Sequence, residues 1–187
     1  MTTTILFWRR LDVEGLERLE LTVTPDAILA DSSVICLEAG GFRLDHRWRL
    51  SPEWRALSVR VERWGPEGHH ALALERTGAG WRVGGAARPD LDGAEEPDVS
   101  VTPFCNTFPI RRTPQAPGAS LTLDTAFIDG AALTVARSRQ RYDRQGPGRL
   151  RYVDLGLSAG FQADLVVDSR GLVVAYEHLF ERIAPPT

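Results

Sequence analysis

A period-2 alternation of apolar and polar residues constrains this chain more than any other feature, because no stretch of ten or more residues carries the 3.6-residue stripe of a surface helix. Leu19, Leu21 and Val23 alternate with Glu20, Thr22 and Thr24, and Phe42, Leu44, His46, Trp48 and Leu50 alternate with Arg43, Asp45, Arg47 and Arg49. Leu57, Val59 and Val61 continue the series. Phe161, Ala163, Leu165 and Val167 oppose Gln162, Asp164, Val166 and Asp168; after Ser169-Arg170-Gly171, the residues Leu172, Val174 and Tyr176 read as the returning strand of a hairpin. Successive strand side chains point to opposite faces, so each run gives a sheet one apolar and one wet face. Turn signals at Ala39-Gly40-Gly41, Trp64-Gly65-Pro66, Gly78-Ala79-Gly80 and Gly146-Pro147-Gly148 are spaced as in an antiparallel meander, which closes into a barrel, half-barrel or roll.

The chain is therefore mainly β. Its 187 residues suffice for one core, and no repeat or composition shift divides them, so residues 1–187 read as a single domain. Gly84 to Pro97 lacks apolar periodicity and reads as a surface loop, as does Pro114 to Gly118. Helix is expected in two short places. One is a turn within Asp12 to Leu19; the other is a bridge over Thr102 to Ile110, with Thr102 as cap and Pro103 at the first position.

Composition removes several chemistries. All 22 basic residues are arginine, and Schiff-base formation, a P-loop phosphate contact and a lysine general base each need lysine. What remains is fork-shaped recognition of anions. A net charge of -3 argues against nucleic-acid binding, which rests on excess basic charge. The apolar run Ile5 to Trp8 is too short for a signal-peptide core or an integral membrane segment, so the expectation is a soluble, cytoplasmic protein. Cys36 and Cys105 read as reduced thiols.

Gly156-Leu157-Ser158-Ala159-Gly160 matches the nucleophile-elbow pattern, with Asp168 and His178 downstream in triad order. That elbow requires a strand before the serine and a helix after it, whereas a strand pattern begins at Phe161. A Gly-rich turn is the favoured reading; a small serine hydrolase using Ser158 stands as one alternative function, and a structural or partner-binding β-roll without a small-molecule ligand as the other. The four histidines lack ligand spacing, so no metal site is expected and His46 reads as a hydrogen-bonded core residue. No cofactor is implied either, since no Gly-rich loop joins a buried parallel strand to a helix.

The informative constellation interleaves arginines with apolar and aromatic residues. Leu133 and Val135 share a strand face with Arg137, Arg139 and Arg141, and Arg149 and Arg151 precede Val153 and Leu155 on the next strand, so in an antiparallel pair the basic ends are expected side by side, with Arg111 and Arg112, just after the expected bridge, as candidates to join them. An apolar floor ending in guanidinium forks suits an amphiphile with an anionic or hydroxylated head. A solvated face of Arg–carboxylate pairs is the alternative reading of the same pattern. The tryptophans read chiefly as core, and otherwise as flat walls for sugar rings or lipid chains.

The string Thr102-Pro103-Phe104-Cys105-Asn106-Thr107-Phe108-Pro109-Ile110-Arg111-Arg112 resembles the central block of the Putative glycolipid-binding family, formerly a domain of unknown function. Leu44-Asp45-His46-Arg47-Trp48-Arg49, Asp98-Val99-Ser100, Gln140-Arg141-Tyr142, Leu150-Arg151-Tyr152 and Asp168-Ser169-Arg170-Gly171-Leu172-Val173-Val174-Ala175-Tyr176 support the resemblance in order along the chain. The resemblance implies a single-domain antiparallel spiral β-roll, or half-barrel, with one or two short helices and an amphiphile site on its concave side. It implies no reaction. The expectation is a non-enzymatic protein that binds a lipid or glycolipid, with no oligomeric state implied. Asn106, Arg111, Arg141 and Tyr142 are the leading candidates for the head group, followed by Arg139, Arg151 and Tyr152, with Trp8 and Trp48 as walls.

Overall fold

The protein is described here by a computed structural model covering residues 1–78 and 80–184; Ala79, in the middle of the expected Gly78-Ala79-Gly80 turn, lies outside the described residues. In chain order the strands are β1 (Thr2–Arg10), β2 (Gly15–Val23), β3 (Ile28–Cys36), β4 (Phe42–Leu50), β5 (Ala56–Gly65), β6 (Gly68–Arg76), β7 (Trp81–Val83) and β8 (Ala86–Ala87). They continue with β9 (Ala94–Val99), β10 (Ser120–Ile128), β11 (Val135–Gly146), β12 (Arg149–Asp154), β13 (Gln162–Val167), β14 (Val173–Tyr176) and β15 (Phe180–Ile183). All fifteen form one open sheet in the order β8-β7-β6-β5-β4-β3-β2-β1-β15-β14-β13-β12-β11-β10-β9.

The chain thus starts in the middle of the sheet and meanders to one edge at β8. It then crosses to the other edge at β9 and meanders back until β15 pairs antiparallel with β1. The one parallel pair among the described residues, β9–β10, needs a crossover, and a 3-10 turn (Phe104–Asn106) running into helix α1 (Thr107–Arg112) supplies it. The Thr102 hydroxyl accepts the Phe104 N–H at 3.1 Å, but the turn starts one residue later than expected, with Pro103 rather than Thr102 at the cap position. The expected mainly β roll with a short helical bridge is the observed architecture.

Strand alternation positions the core. Phe42, Leu44, His46, Trp48 and Leu50 of β4 are all buried, as are Leu19 and Leu21 of β2. Two buried clusters result. The larger one contains Trp8, Trp48, Trp81, Phe104 and Phe108, and the smaller one contains Tyr142, Leu150, Tyr152, Leu165 and Tyr176. The short helix serves both, placing Phe108 edge-on to Trp48 at 5.3 Å and Ile110 in the smaller cluster. An aromatic pair of that geometry contributes about 1 kcal/mol beyond its buried area.

Register slips break strict alternation among the described strands, and two of them move residues of the expected apolar faces. Opposite Arg49 and Leu50 the register slips by one residue, so Ala56 and Val59 face inward and Leu57 is exposed. A second slip at Val166/Val167 turns Val173 inward with Leu172 and leaves Val174 outside.

The expected loop from Gly84 to Pro97 is instead β8, a 3-10 turn at Pro89–Leu91 and most of β9. Its inward residue Glu96 is 1% exposed and holds its place through ion pairs rather than apolar contacts, which is why no hydrophobic period marks it. Glu96 accepts the Ala56 N–H at 2.9 Å and lies 3.3 Å from Arg76 and 3.5 Å from both Arg55 and Arg112. Trp81 Nε1 donates to the Ala94 carbonyl at 2.9 Å across the same seam. Side chains, not strand pairing, therefore draw the edges of the roll together. Burial pushes the Glu96 carboxyl pKa up, while the Ala56 N–H and the three arginines oppose that rise.

His69 and His70 lie on β6 rather than in the preceding turn, which is formed by Pro66 and Glu67.

Candidate functional site

Antiparallel strands carry their inward residues to two ends of the roll. At the end where β9, β10, β12 and β14 finish, a cavity of about 290 Å³ is lined by Asp98, Asn106, Phe127, Tyr152, Asp154, Ser158, Phe161, Tyr176 and Phe180, among others. Asp98, the last residue but one of β9, lines the cavity. Its Oδ1 accepts from the Cys105 thiol at 2.9 Å and its Oδ2 from the Gln140 amide. Gln140 Oε1 accepts from Tyr142 Oη at 3.1 Å, and Tyr142 Oη accepts from Asn106 Nδ2 at 2.8 Å. This relay fixes the amide orientations of Asn106 and Gln140, since each donor has one acceptor waiting.

Asp154 ends β12. Its Oδ1 accepts the N–H groups of Gly156 and Ser158 at 2.7 and 3.1 Å, and its Oδ2 accepts from Tyr152 Oη at 3.2 Å. It thereby holds the loop that carries Ser158 over the cavity. Gly156 is required there, because a Cβ would sit 2.5 Å from both the Arg139 backbone nitrogen and the Ser138 hydroxyl.

Burial, reinforced by the Asp154 charge, raises the Asp98 carboxyl above the ordinary aspartate range despite the Cys105 and Gln140 hydrogen bonds. Burial next to these carboxylates also pushes the Tyr152 and Tyr176 phenols up. The phenols therefore stay neutral donors at physiological pH. The cavity presents carboxylate acceptors, phenol and hydroxyl donors, one amide and three phenylalanine rings.

Behind Thr102, which also lines this cavity, lies a sealed network. Glu17 Oε1 accepts from Thr102 and Ser32 at 2.8 and 2.7 Å. Trp48 Nε1 donates to His46 Nδ1 at 2.8 Å, so the His46 proton is on Nε2, which donates to Glu17 at 3.1 Å. His46 is 0% exposed and is the hydrogen-bonded core residue its strand position implied.

The sequence-derived candidates divide four ways. Asn106 and Tyr152 line the cavity, and Tyr142 stands directly behind it in the relay. Trp8 and Trp48 are buried in the larger core, Trp8 donating to the Val173 carbonyl at 2.9 Å, so neither walls the cavity. Arg139, Arg141 and Arg151 project from the outer face, because Ser138, Gln140, Tyr142 and Arg144 take the inward positions of β11 and Leu150, Tyr152 and Asp154 those of β12. These arginines meet carboxylates of neighbouring strands or of their own strand: Asp124 for Arg139, Asp143 for Arg141 and Asp164 for Arg151. Arg151 stands opposite Asp143 and Asp164, so the arginines of β11 and β12 do not lie side by side. Arg111 lies at the other end of the roll, its guanidinium 4.4 Å above the Trp54 ring.

Sequence reasoning missed Asp98, Asp154, Phe161 and Tyr176 as cavity residues. Asp98 sits on a strand without apolar alternation, whereas Asp154 two residues before Gly156 is a readable side-chain turn signal.

The hydrolase alternative is not supported. Ser158 lies in a loop that leads into β13 rather than a helix, Asp168 is bound to Arg182 at 2.8 Å, and exposed His178 lies 3.5 Å from Glu177. Among the described residues no group of three or more His, Cys, Asp or Glu is arranged to hold a metal, and no helix is long and apolar enough to cross a membrane. Cys36 and Cys105 are both free and buried.

No curated protein matches the chain. Among solved structures it is similar to a DUF1089-family protein from Pseudomonas aeruginosa, at 33% identity over 89% of this chain and 92% of that one, with a TM-score of 0.79. The family model described as Putative glycolipid-binding matches residues 5–182, and the chain belongs to that family.

Proposed function

We propose that the protein binds an amphiphile with an uncharged, hydroxylated head group, a glycolipid in the simplest case, and that the cavity at Asp98 and Asp154 receives the head. The observation that carries this reading is the pairing of two carboxylates with phenol donors and aromatic rings in one cavity. Sugar hydroxyls both donate and accept, so they match carboxylates and phenols at once, while the apolar faces of a sugar ring stack on aromatic rings. An anionic head would meet two carboxylates and no arginine there.

The rim supports a place for the tail. Leu157, next to Ser158, is 56% exposed, and Leu11, whose N–H bonds the Leu179 carbonyl at 2.8 Å, is 47% exposed. Apolar side chains left in water beside a cavity mouth gain about 25 cal/mol per Å² when an acyl chain covers them. In this reading the chain acts as one domain, as a binding protein rather than an enzyme, in a reducing cytoplasmic setting that suits its two buried thiols.

Calorimetric titration with octyl β-glucoside below its micelle concentration tests the reading. Binding at least tenfold tighter than that of glucose is expected, weakened about tenfold by Tyr176→Phe and further by Phe161→Ala. No binding to the wild type, or affinity unchanged in both variants, would overturn it.

A further inference from the structure

The opposite end of the roll holds a second pocket, of about 370 Å³, that shares no lining residue with the first. It lies where the β11–β12 and β13–β14 turns meet the end of α1, and three arginines, Arg111, Arg144 and Arg170, line it.

Arg144 is the unusual one. It is 3% exposed, yet no carboxylate lies within ion-pair distance among the described residues. Its Nη2 donates to the carbonyls of Ile110 and Thr113, both at 3.2 Å, and its Nε to that of Pro114 at 3.4 Å. Its Nη1 bonds no described group, and Arg144 lines the pocket. An internal charge without a counter-ion costs several kcal/mol, and carbonyl dipoles offset only part of that. Burial accordingly pulls the Arg144 guanidinium below its ordinary pKa, and burial does the same to Arg111.

The other two arginines leave the pocket positive. Arg111 donates to the Arg170 carbonyl and has no carboxylate within ion-pair distance among the described residues. Its side chain lies against Gly171, where an added Cβ would sit 3.1 Å from the Arg111 Cγ, so the glycine makes room for it. Arg170 lies 3.8 Å from Asp168, the pocket's one carboxylate among the described residues. Asp168 is already engaged, accepting from Arg182 at 2.8 Å and from the N–H groups of Arg170 and Leu172 at 2.9 and 3.0 Å. Three cations against one satisfied carboxylate leave an excess of positive charge converging on a concavity.

We propose that this basic pocket is a second binding site, specific for a phosphate-type oxyanion, with Arg144 held in place by its carbonyls and offering Nη1 alone, and with Arg111 and Arg170 closing over the anion. Charge-assisted hydrogen bonds from guanidinium to phosphate are short and strong, and arginine's planar fork matches two phosphate oxygens at once. The phosphate is either free or the head of a lipid.

Proton–nitrogen spectra recorded at constant ionic strength, with chloride replaced stepwise by inorganic phosphate, test the site without confusing binding with screening. Saturable shifts are expected at Gly148, Gly171 and the Arg144 side chain, with those of Asn106 and Tyr152 unmoved. The double variant Arg111→Gln/Arg170→Gln leaves Arg144 and its carbonyl contacts in place and is expected to weaken binding at least tenfold. Shifts that never saturate, shifts centred on Asn106 and Tyr152, or shifts identical in the double variant would overturn the proposal. Dihexanoyl phosphatidic acid below its micelle concentration gives the source. Affinity tenfold above that of inorganic phosphate upholds the site as a lipid-head site, and equal affinity upholds it as a free-phosphate site. The cavity variant Tyr176→Phe is expected to leave phosphate binding unchanged, which separates failure here from failure of the glycolipid reading.

Discussion

The inward face of β11 connects two ends of one roll that differ in kind. Toward the end of β12 it offers Ser138, Gln140 and Tyr142, neutral groups of which Gln140 reaches Asp98; toward the β11–β12 turn it offers Arg144, a cation held by carbonyls. The end at Asp98 is acidic and aromatic, and the end at Arg144 is basic and poor in aromatic groups. An alternating strand presents every second residue to the interior, so a single strand can grade polarity along the axis of a roll without disturbing its outer face. The difference assigns opposite tasks to the two ends: acceptors and rings for hydroxyl groups, forks for an oxyanion.

Removing a group at each end sharpens the contrast. Arg144→Ala is expected to destabilise by about 3 kcal/mol, because it strips the carbonyls of Ile110 and Thr113 of their donor and opens a void. Tyr142→Phe keeps the ring but leaves Asn106 and Gln140 without the hydroxyl between them, with an expected cost of about 1–2 kcal/mol. Urea unfolding of both variants checks the order. Equal costs would mean that Arg144 is not carrying its neighbouring carbonyls.

A smaller effect, in pH, separates the ends electrostatically. Asp98 titrates above its unfolded value, so its contribution to stability is fully present below the ordinary aspartate range and is lost as pH rises through the raised value. The stability of the wild type relative to Asp98→Asn is therefore expected to fall with rising pH, by at most about 1.4 kcal/mol per pH unit within that window. Urea midpoints of the two proteins measured from acid to neutral pH check it, and a difference that grows with pH contradicts the assigned burial.

Much of the fold was legible in the sequence, since alternation on β2 and β4 places inward the residues that the structure buries, apart from Val23 at the end of β2, which is exposed. What escaped has local physical causes. A one-residue bulge reverses the face of every residue beyond it, as at Leu57 and Val174, and nothing in the composition of those strands marks it. β9 was hidden because Glu96 is buried by arginines from distant strands, a pattern with no local period. The site was half legible. Asn106 and Tyr152 were found, but on β11 and β12 the apolar-to-basic face points outward, because the polar face carries the relay to Asp98 and must turn in. Alternation separates the two faces of a strand; when both carry polar residues, it does not say which one is wet.

The central claim is that the acidic, aromatic cavity is where the hydroxylated head group sits. Mapping octyl β-glucoside onto the protein by proton–nitrogen shifts tests it most directly. The account predicts saturable changes at Asn106, Tyr152, Ser158 and Phe161, with Gly148, Gly171 and the outer arginines Arg139, Arg141 and Arg151 unmoved. Changes centred on those outer arginines, with the cavity residues silent, would contradict it.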